Sequence, residues 1–194
     1  MQYILMVLMA AGIVTADQWV KYWTVTNIAS SQCWENGQVM AACMEQHIPT
    51  LQEKFGMTQQ ALAELPHSAQ AIPGLFHFSF VHNTGAAFSS FRGQQWLFLL
   101  VFAILTVAVI WEFSTKKMGF SKFERWCIVA IYAGGLGNMI DRLRLGFVVD
   151  MIDLEFMTFP VFNVADCFIT CGCILMMIHL FLFNKEFWKE EKKK

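Results

Sequence analysis

Four apolar stretches, separated by polar segments, constrain this chain more than any other feature of its sequence. They cover about residues 3–23, 95–112, 126–142 and 164–183. A helix needs about 20 mainly apolar residues to cross a bilayer, with a range near 17 to 25. The chain is 56% hydrophobic and 15% charged, whereas soluble domains are about 25% charged. The sequence therefore predicts a membrane protein with an all-α core of four transmembrane helices.

Charged residues lie near the ends of two of these stretches. Asp17 and Lys21 are spaced i,i+4, so on a helix they share a face and we expect an ion pair between them. The third stretch is long enough to span only if Asn138, Asp141 and Arg142 enter the interfacial region. Their i, i+3, i+4 spacing makes one polar face, and we expect Arg142 to hold Asp141 ionised through a bidentate pair. That pair would be a structural support for a functional site next to it.

The segment of about residues 24–92 is polar and contains no stretch long enough to span. We expect it to form a small β-containing extracytoplasmic domain. Aromatic and polar residues alternate from Phe76 to His82, which predicts a strand in a small sheet on the membrane surface. Cys33 and Cys43 also lie in this segment, and an oxidising compartment would allow a disulfide between them.

The distribution of basic residues predicts the orientation of the spans. Lysine and arginine cluster between the second and third stretches and again after the fourth, which by the positive-inside bias makes both segments cytoplasmic. Both termini are then cytoplasmic, and residues 24–92 and 143–162 lie on the outer face. We expect a multi-pass membrane protein, monomeric and in contact with membrane lipids.

Composition argues against two classes of function. A formal net charge of −1 gives no electrostatic basis for a nucleic-acid partner. Most of the cysteines lie inside apolar stretches without the partners of a zinc site, and there they behave as small packing residues: Cys127, Cys167, Cys171 and Cys173. We therefore expect neither a metal nor another cofactor.

The candidate chemistry lies between Gly134 and Asp166, where ionisable residues join two apolar stretches. Such residues near a bilayer line a bundle interior or a cavity, and they are functional by default. Asp150 and Asp166 flank a short connection that could bring them together. Two carboxylates about 3 Å apart share one proton, so one activates water while the other donates to a carbonyl oxygen. The alternative is that both aspartates are structural. Asp150 would then cap a helix or pair with Arg144, and Asp166 would only interact with the positive end of the dipole of the fourth helix.

Neighbouring residues fit either of these interpretations. Asn163 is a plausible cap for the fourth helix and could orient Asp166. Gly134, Gly135 and Gly137 are small residues of the kind that let membrane helices approach closely. Asn83 and Gly85, just before the second stretch, suit the binding of an extended peptide backbone, although a plain turn explains them equally.

Together these segments resemble the bacterial lipoprotein signal peptidase family, signal peptidase II. The matching pieces occur in the family's order and cover most of the chain: Asp17-Gln18 with Lys21, HNTGAAFS at His82 to Ser89, GNMIDR at Gly137 to Arg142 with Gly146, VVDMI at Val148 to Ile152, and FNVAD at Phe162 to Asp166. The sequence departs from the family in a longer connection between Ile28 and Pro73, which puts the shape of the outer domain in doubt.

The resemblance implies an intramembrane aspartic endopeptidase of the bacterial inner membrane that removes signal peptides from prolipoproteins, cutting before a diacylglyceryl-modified cysteine. By motif position Asp150 and Asp166 resemble the catalytic pair, near the outer face. A second group resembles substrate-contacting or site-ordering residues: Asn83, Gly85, Asn138, Arg142 and Asn163. Asp17, Lys21 and Asp141 resemble structural supports. Two other classes remain open, namely a transport component whose aspartates carry protons or a cation, and an assembly factor that docks partners on the outer domain.

Overall fold

The computed structural model describes residues 1–28, 34–35, 38–39, 53–56, 64–85 and 95–183. The chain is mainly helical. Its elements in order are α1 (Gln2–Asn27), β1 (Trp34–Glu35), β2 (Gln38–Val39), β3 (Ala69–Ile72), β4 (Phe76–Asn83), α2 (Gln95–Thr115), α3 (Lys122–Leu145), β5 (Val148–Leu154) and α4 (Val164–Phe183). The predicted Cys33–Cys43 disulfide and the segment from Ala86 to Ser89 lie outside the described residues.

In the part of the chain that the structure describes, three helices are long and apolar enough to cross a membrane, namely α1, α2 and α4. They match three of the four predicted spans, and α1 continues one turn beyond the predicted end. The fourth predicted span lies within α3, which does not meet the same hydropathy criterion. Because α3 packs against α1, α2 and α4, much of its surface faces protein, and polar residues there need not face lipid.

Both ends of α3 are fixed by local interactions. Ser121 and Glu124 form a capping box at its start, in which each side chain accepts a hydrogen bond from the other residue's backbone N–H. At its end Gly146 adopts a left-handed conformation with φ of 83°, and its N–H donates to the carbonyl of Arg142. The chain therefore leaves α3 in a defined direction and enters β5 two residues later.

A three-stranded antiparallel sheet, in the order β3-β4-β5, covers one end of the helices. The alternating pattern from Phe76 to His82 correctly predicted β4. Strand β5 was missed, although Val148 and Val149 give it a β-branched start. Between Phe78, which pairs with Ile152, and Val81, which pairs with Asp150, the register shifts by one residue, and this bulge changes which side chains of β4 face inward.

The apolar core lies between this sheet and the last turn of α1. One cluster of buried side chains joins the two elements: Val25, Ile28, Phe80, Phe147, Val149 and Met151. Successive strand residues point to opposite faces, so burying Val149 and Met151 in this cluster turns Asp150 toward the other face. The packing of the sheet on α1 thus determines the direction of the Asp150 side chain.

Candidate active site

Backbone pairing brings the two predicted catalytic aspartates into one site. Asp150 lies on β5, and Asp166 lies in the first turn of α4. Phe162 forms a bridge with Ile152: its carbonyl accepts from the Ile152 N–H at 2.7 Å, and its own N–H donates back at 3.2 Å. The start of α4 is therefore held against β5, and the two aspartates approach each other.

Asn163 connects the two carboxyl groups directly. Its Oδ1 accepts from the Asp166 N–H at 2.9 Å, and its N–H donates to Asp166 Oδ2 at 3.2 Å, which is a reciprocal helix cap. Its side-chain amide Nδ2 donates to Asp150 Oδ1 at 2.6 Å and to Asn138 Oδ1 at 3.0 Å. The prediction that Asn163 caps the fourth helix and orients Asp166 is confirmed, and the same side chain also fixes Asp150.

Asp150 is the more buried of the two aspartates, with 3% of its surface exposed. Besides Asn163 it accepts a hydrogen bond from Asn83 Nδ2 at 2.9 Å. Burial, and next the negative charge of Asp166, raise the pKa of Asp150 from 3.8 to about 7, against the opposing effect of the amide donors and Lys21. The alternative partner, Arg144, instead lies over the ring of Phe55 at 5.0 Å.

Asp166 is partly exposed and its carboxyl group accepts hydrogen bonds from two donors. Asn138 Nδ2 donates to its Oδ1 at 2.8 Å, and the Asn163 N–H donates to its Oδ2. Its position in the first turn of α4 also places it at the positive end of the helix dipole. These interactions fix the orientation of the Asp166 carboxyl group.

Lys21 lies behind this pair and connects it to α1. Its Nζ is 2.9 Å from an oxygen of each of Asp17, Asp141 and Asn138, so its three donors have three acceptors. The predicted ion pair between Asp17 and Lys21 is confirmed. The other Asp17 oxygen accepts from the N–H of Ala165 at 2.9 Å, and this bond attaches the start of α4 to α1.

The predicted pairing of Arg142 with Asp141 is wrong. Asp141 instead accepts from Lys21, from Gln18 Nε2 at 2.8 Å and from the Val149 N–H at 3.1 Å. Adjacent residues on a helix do not face each other, so the Arg142 guanidinium points to another side of α3. The role of Gln18 was not predicted, and its position next to Asp17 in the sequence was the available signal.

Arg142 instead holds the end of β4. It donates to the carbonyl of Gly85 at 3.0 Å and to the carbonyl of Asn138 at 3.3 Å, and it lies 4.3 Å over the ring of Phe98 on α2. The Gly85 N–H donates to Asn83 Oδ1 at 3.0 Å. Arg142 and Asn83 thus fix the backbone at Gly85 beside Asp150.

Glycines on α3 permit this close arrangement, as predicted. A Cβ on Gly137 would lie 2.6 Å from Asp17 Oδ2. A Cβ on Gly134 would lie 2.5 Å from the carbonyl oxygen of Ala165. Any larger residue would therefore separate α3 from α1 or from α4.

The site as a whole combines two neighbouring carboxyl groups with different surroundings. Asp150 is buried with its pKa near neutrality, and Asp166 is partly exposed and accepts two hydrogen bonds. A pair of this kind can donate a proton to one atom and remove a proton from another. The predicted site residues all lie in this one network: Asp17, Lys21, Asn83, Gly85, Asn138, Asp141, Arg142, Asp150, Asn163 and Asp166.

Known proteins resemble this chain in sequence and in fold. Residues 9–182 match the family described as Signal peptidase (SPase) II. A lipoprotein signal peptidase of Streptococcus agalactiae is 44% identical over 128 residues, which are 66% of this chain and 78% of the relative. A lipoprotein signal peptidase of Streptococcus thermophilus is 31% identical over 180 residues, which are 93% of this chain and 90% of the relative.

Two solved structures of a bacterial membrane enzyme, determined by the in meso method, share the fold. The structure at 2.3 Å resolution superposes with a TM-score of 0.66 at 25% identity, over 94% of this chain and 90% of the other. The structure at 1.9 Å gives a TM-score of 0.67 at 26% identity, over 92% and 94% of the two chains. These likenesses cover nearly all of the described helices and strands.

Proposed function

This chain belongs to the signal peptidase II family, and we propose that it cleaves signal peptides from diacylglyceryl-modified prolipoproteins with Asp150 and Asp166 as an aspartic dyad. The cut falls before the lipidated cysteine. The observation that carries the proposal is the position of Asn163, which hydrogen-bonds to both carboxyl groups. A residue that hydrogen-bonds to both carboxyl groups holds them at a fixed separation, as a catalytic dyad requires.

The surroundings of the two acids support different roles for them. Asp150 is buried, and its pKa of about 7 favours the protonated form below neutrality, so it is the proton donor. Asp166 is partly exposed and accepts two hydrogen bonds, so it is the base that water reaches. The pair then carries a single proton in its working state.

Peptide hydrolysis follows from these roles. Asp166 takes a proton from water as the water oxygen bonds to the scissile carbonyl carbon, and Asp150 gives its proton to the carbonyl oxygen. When the C–N bond breaks, Asp166 passes its proton to the leaving nitrogen. The carbonyl re-forms as Asp150 takes back a hydroxyl proton, which restores the starting state of both acids.

The residues around the dyad support binding of an extended peptide. Arg142 and Asn83 fix the backbone at Gly85 next to Asp150, and the first turn of the apolar helix α4 carries Asp166. The scissile bond of a substrate anchored by its lipid would then lie at the membrane surface, level with the start of α4. The lipid would remain in the bilayer while the peptide backbone occupies the site.

The test compares wild-type protein with Asp150→Asn and Asp166→Asn, using a purified diacylglyceryl-modified prolipoprotein and mass spectrometry of the products. We expect cleavage before the lipidated cysteine by wild type and loss of nearly all turnover in both variants. Asp153→Asn is the matched control, because Asp153 lies on the same strand but pairs with His77, and it should cleave at nearly the wild-type rate.

Other outcomes would redirect the interpretation. Near-normal turnover in either dyad variant would contradict the dyad mechanism. An inactive wild type whose acids are required for proton or cation flux would favour the transport alternative. Each variant is compared only after its thermal unfolding shows that it is folded.

A further inference from the structure

The turn between α2 and α3 presents lysines around two buried acids. Lys116, Lys117 and Lys122 are exposed. Glu112 and Glu124, the acidic residues of this region, are 2% and 0% exposed. The sequence alone suggests a mixture of charges here, but the fold separates the two signs.

Both acids have hydrogen-bond or ion-pair partners within the protein. Glu112 accepts a hydrogen bond from the Met118 N–H at 3.0 Å and pairs with Arg125 at 3.3 Å. Glu124 caps α3 through the Ser121 N–H at 2.6 Å and lies 3.0 Å from His179 Nδ1 on α4. Both carboxylates are therefore buried against partners other than the exposed lysines.

The backbone of this turn is held in place. The Lys116 N–H donates to the Glu112 carbonyl at 2.7 Å, and the Gly119 N–H donates to the Lys116 carbonyl at 3.3 Å. Lys116 and Gly119 both adopt left-handed conformations, with φ of 54° and 70°. The lysines thus lie on or beside a defined turn, with the Lys116 ammonium 5.8 Å from the centre of the Tyr3 ring, and binding an anion would require little ordering of the backbone.

Exposed apolar side chains accompany the lysines. Met118 is 53% exposed and Phe123 is 44% exposed, and the turn directly follows α2, which is apolar enough to cross a membrane. Basic and apolar groups together at the end of such a helix suit the boundary between headgroups and acyl chains.

We propose that Lys116, Lys117 and Lys122, with Met118 and Phe123, form a binding surface for the headgroups of anionic phospholipids. The surface lies at the end of α3 away from Asn138 and the dyad, so the proposal does not depend on the catalytic mechanism. Charge complementarity favours an anionic lipid, because a lipid phosphate is negative and the two buried acids pair with residues other than these lysines. The apolar pair would contact the adjoining acyl chains.

The test uses purified full-length protein in nanodiscs of an equal mixture of phosphatidylglycerol and phosphatidylcholine. Native mass spectrometry then measures which lipid remains bound. We expect wild type to retain phosphatidylglycerol preferentially. The triple variant Lys116→Gln/Lys117→Gln/Lys122→Gln should lower this preference at least about fivefold, the factor for one lysine at ~1 kcal/mol near an anionic surface.

Two controls separate charge from general disturbance of the protein. The corresponding triple arginine variant keeps the positive charges and should keep the preference. Lys54→Gln removes an exposed lysine outside the turn and should leave it unchanged. Inorganic phosphate at matched charge should not displace the lipid, because the surface binds a headgroup fixed in a bilayer.

An unchanged preference in the triple glutamine variant would overturn the proposal. An equal loss in Lys54→Gln would overturn it too, because the effect would then reflect net charge. Displacement of the lipid by inorganic phosphate would also contradict it, because the surface would then bind free phosphate and not a headgroup fixed in a bilayer.

Discussion

At the scale of single residues, Lys21 and Asn163 together determine how the amide of Asn138 is oriented, because both donate to its oxygen. An ammonium group has donors and no acceptor, so Lys21 Nζ must face the oxygen of that amide. The Asn138 nitrogen then points at Asp166. A buried lysine on α1 is therefore linked to the Asp166 carboxyl group through an asparagine on α3.

Replacing Lys21 tests this role. Lys21→Met leaves Asp17 and Asp141 buried without their cation, and breaking a buried pair costs roughly 3–5 kcal/mol of stability. The charge of Lys21 also lowers the pKa of Asp150, so in the remaining folded protein the fall in cleavage rate on the alkaline side should move to higher pH. Thermal unfolding and the pH dependence of kcat/KM measure the two effects.

A purely structural role for Lys21 gives a different result. The protein would then lose stability while the pH profile of its folded fraction stayed in place. Lys54→Met is the control for loss of a lysine at an exposed position, and it should change neither quantity.

The raised pKa of Asp150 predicts two responses to pH. Cleavage should decline as pH rises through about 7, where Asp150 loses its proton. The folded protein also keeps this proton up to about 7, whereas the unfolded chain releases it near 3.8. Between pH 3.8 and about 7 the folded protein therefore binds more protons than the unfolded chain. The stability that Asp150 contributes is thus fully present below pH 3.8 and is lost as pH rises through about 7.

Asp150→Asn isolates that contribution. The difference in unfolding free energy between the variant and wild type should move in favour of the variant as pH rises from about 4 to about 7. Unfolding curves in detergent across this range measure the difference. A difference that stays constant with pH would mean that Asp150 keeps an ordinary pKa.

At the scale of elements, the approach of α3 to α4 depends on a glycine. A Cβ on Gly134 would lie 2.5 Å from the Ala165 carbonyl oxygen and 2.8 Å from Ile169 Cγ1. Gly134→Ala should therefore cost about 1–3 kcal/mol, as overpacking usually does, and should also slow cleavage because Asp166 lies one residue from Ala165. Thermal unfolding and kcat/KM are the measurements.

Gly12 provides the matched control on α1. A Cβ there has nothing within 4 Å, and alanine favours a helix over glycine by about 1 kcal/mol. Gly12→Ala should be neutral or stabilising with unchanged cleavage. Equal effects of the two substitutions would show that the contact between α3 and α4 is not what matters.

The elements also show how far the sequence predicts the fold and the site. Apolar length located the helices, and alternation located β4, because both signals are local. The bond from Lys21 to Asn138 and the partners of Arg142 depend on how separate elements pack, which residue spacing does not reveal. Strand β5 was not predicted because most of its side chains are buried, so buried and exposed residues do not alternate clearly along it.

At the scale of the whole molecule, α3 separates two chemically different ends. One end carries the lysine turn, and the other carries the dyad network. A helix of 24 residues is about 36 Å long, against about 30 Å for the hydrocarbon layer. Since its neighbours shield it from lipid, we expect α3 to be the fourth span despite its charged residues.

Labelling from one side of the membrane tests this topology. Met118 and Thr158 are exposed and lie beyond opposite ends of α3. Met118→Cys and Thr158→Cys would each be introduced into an active variant whose own cysteines are replaced by alanine. In intact cells, an impermeant thiol reagent should label Thr158→Cys, whereas Met118→Cys should react only after the membrane is opened. Labelling of both from outside would mean that α3 does not cross the bilayer, and reversed labelling would mean that the dyad faces the cytoplasm.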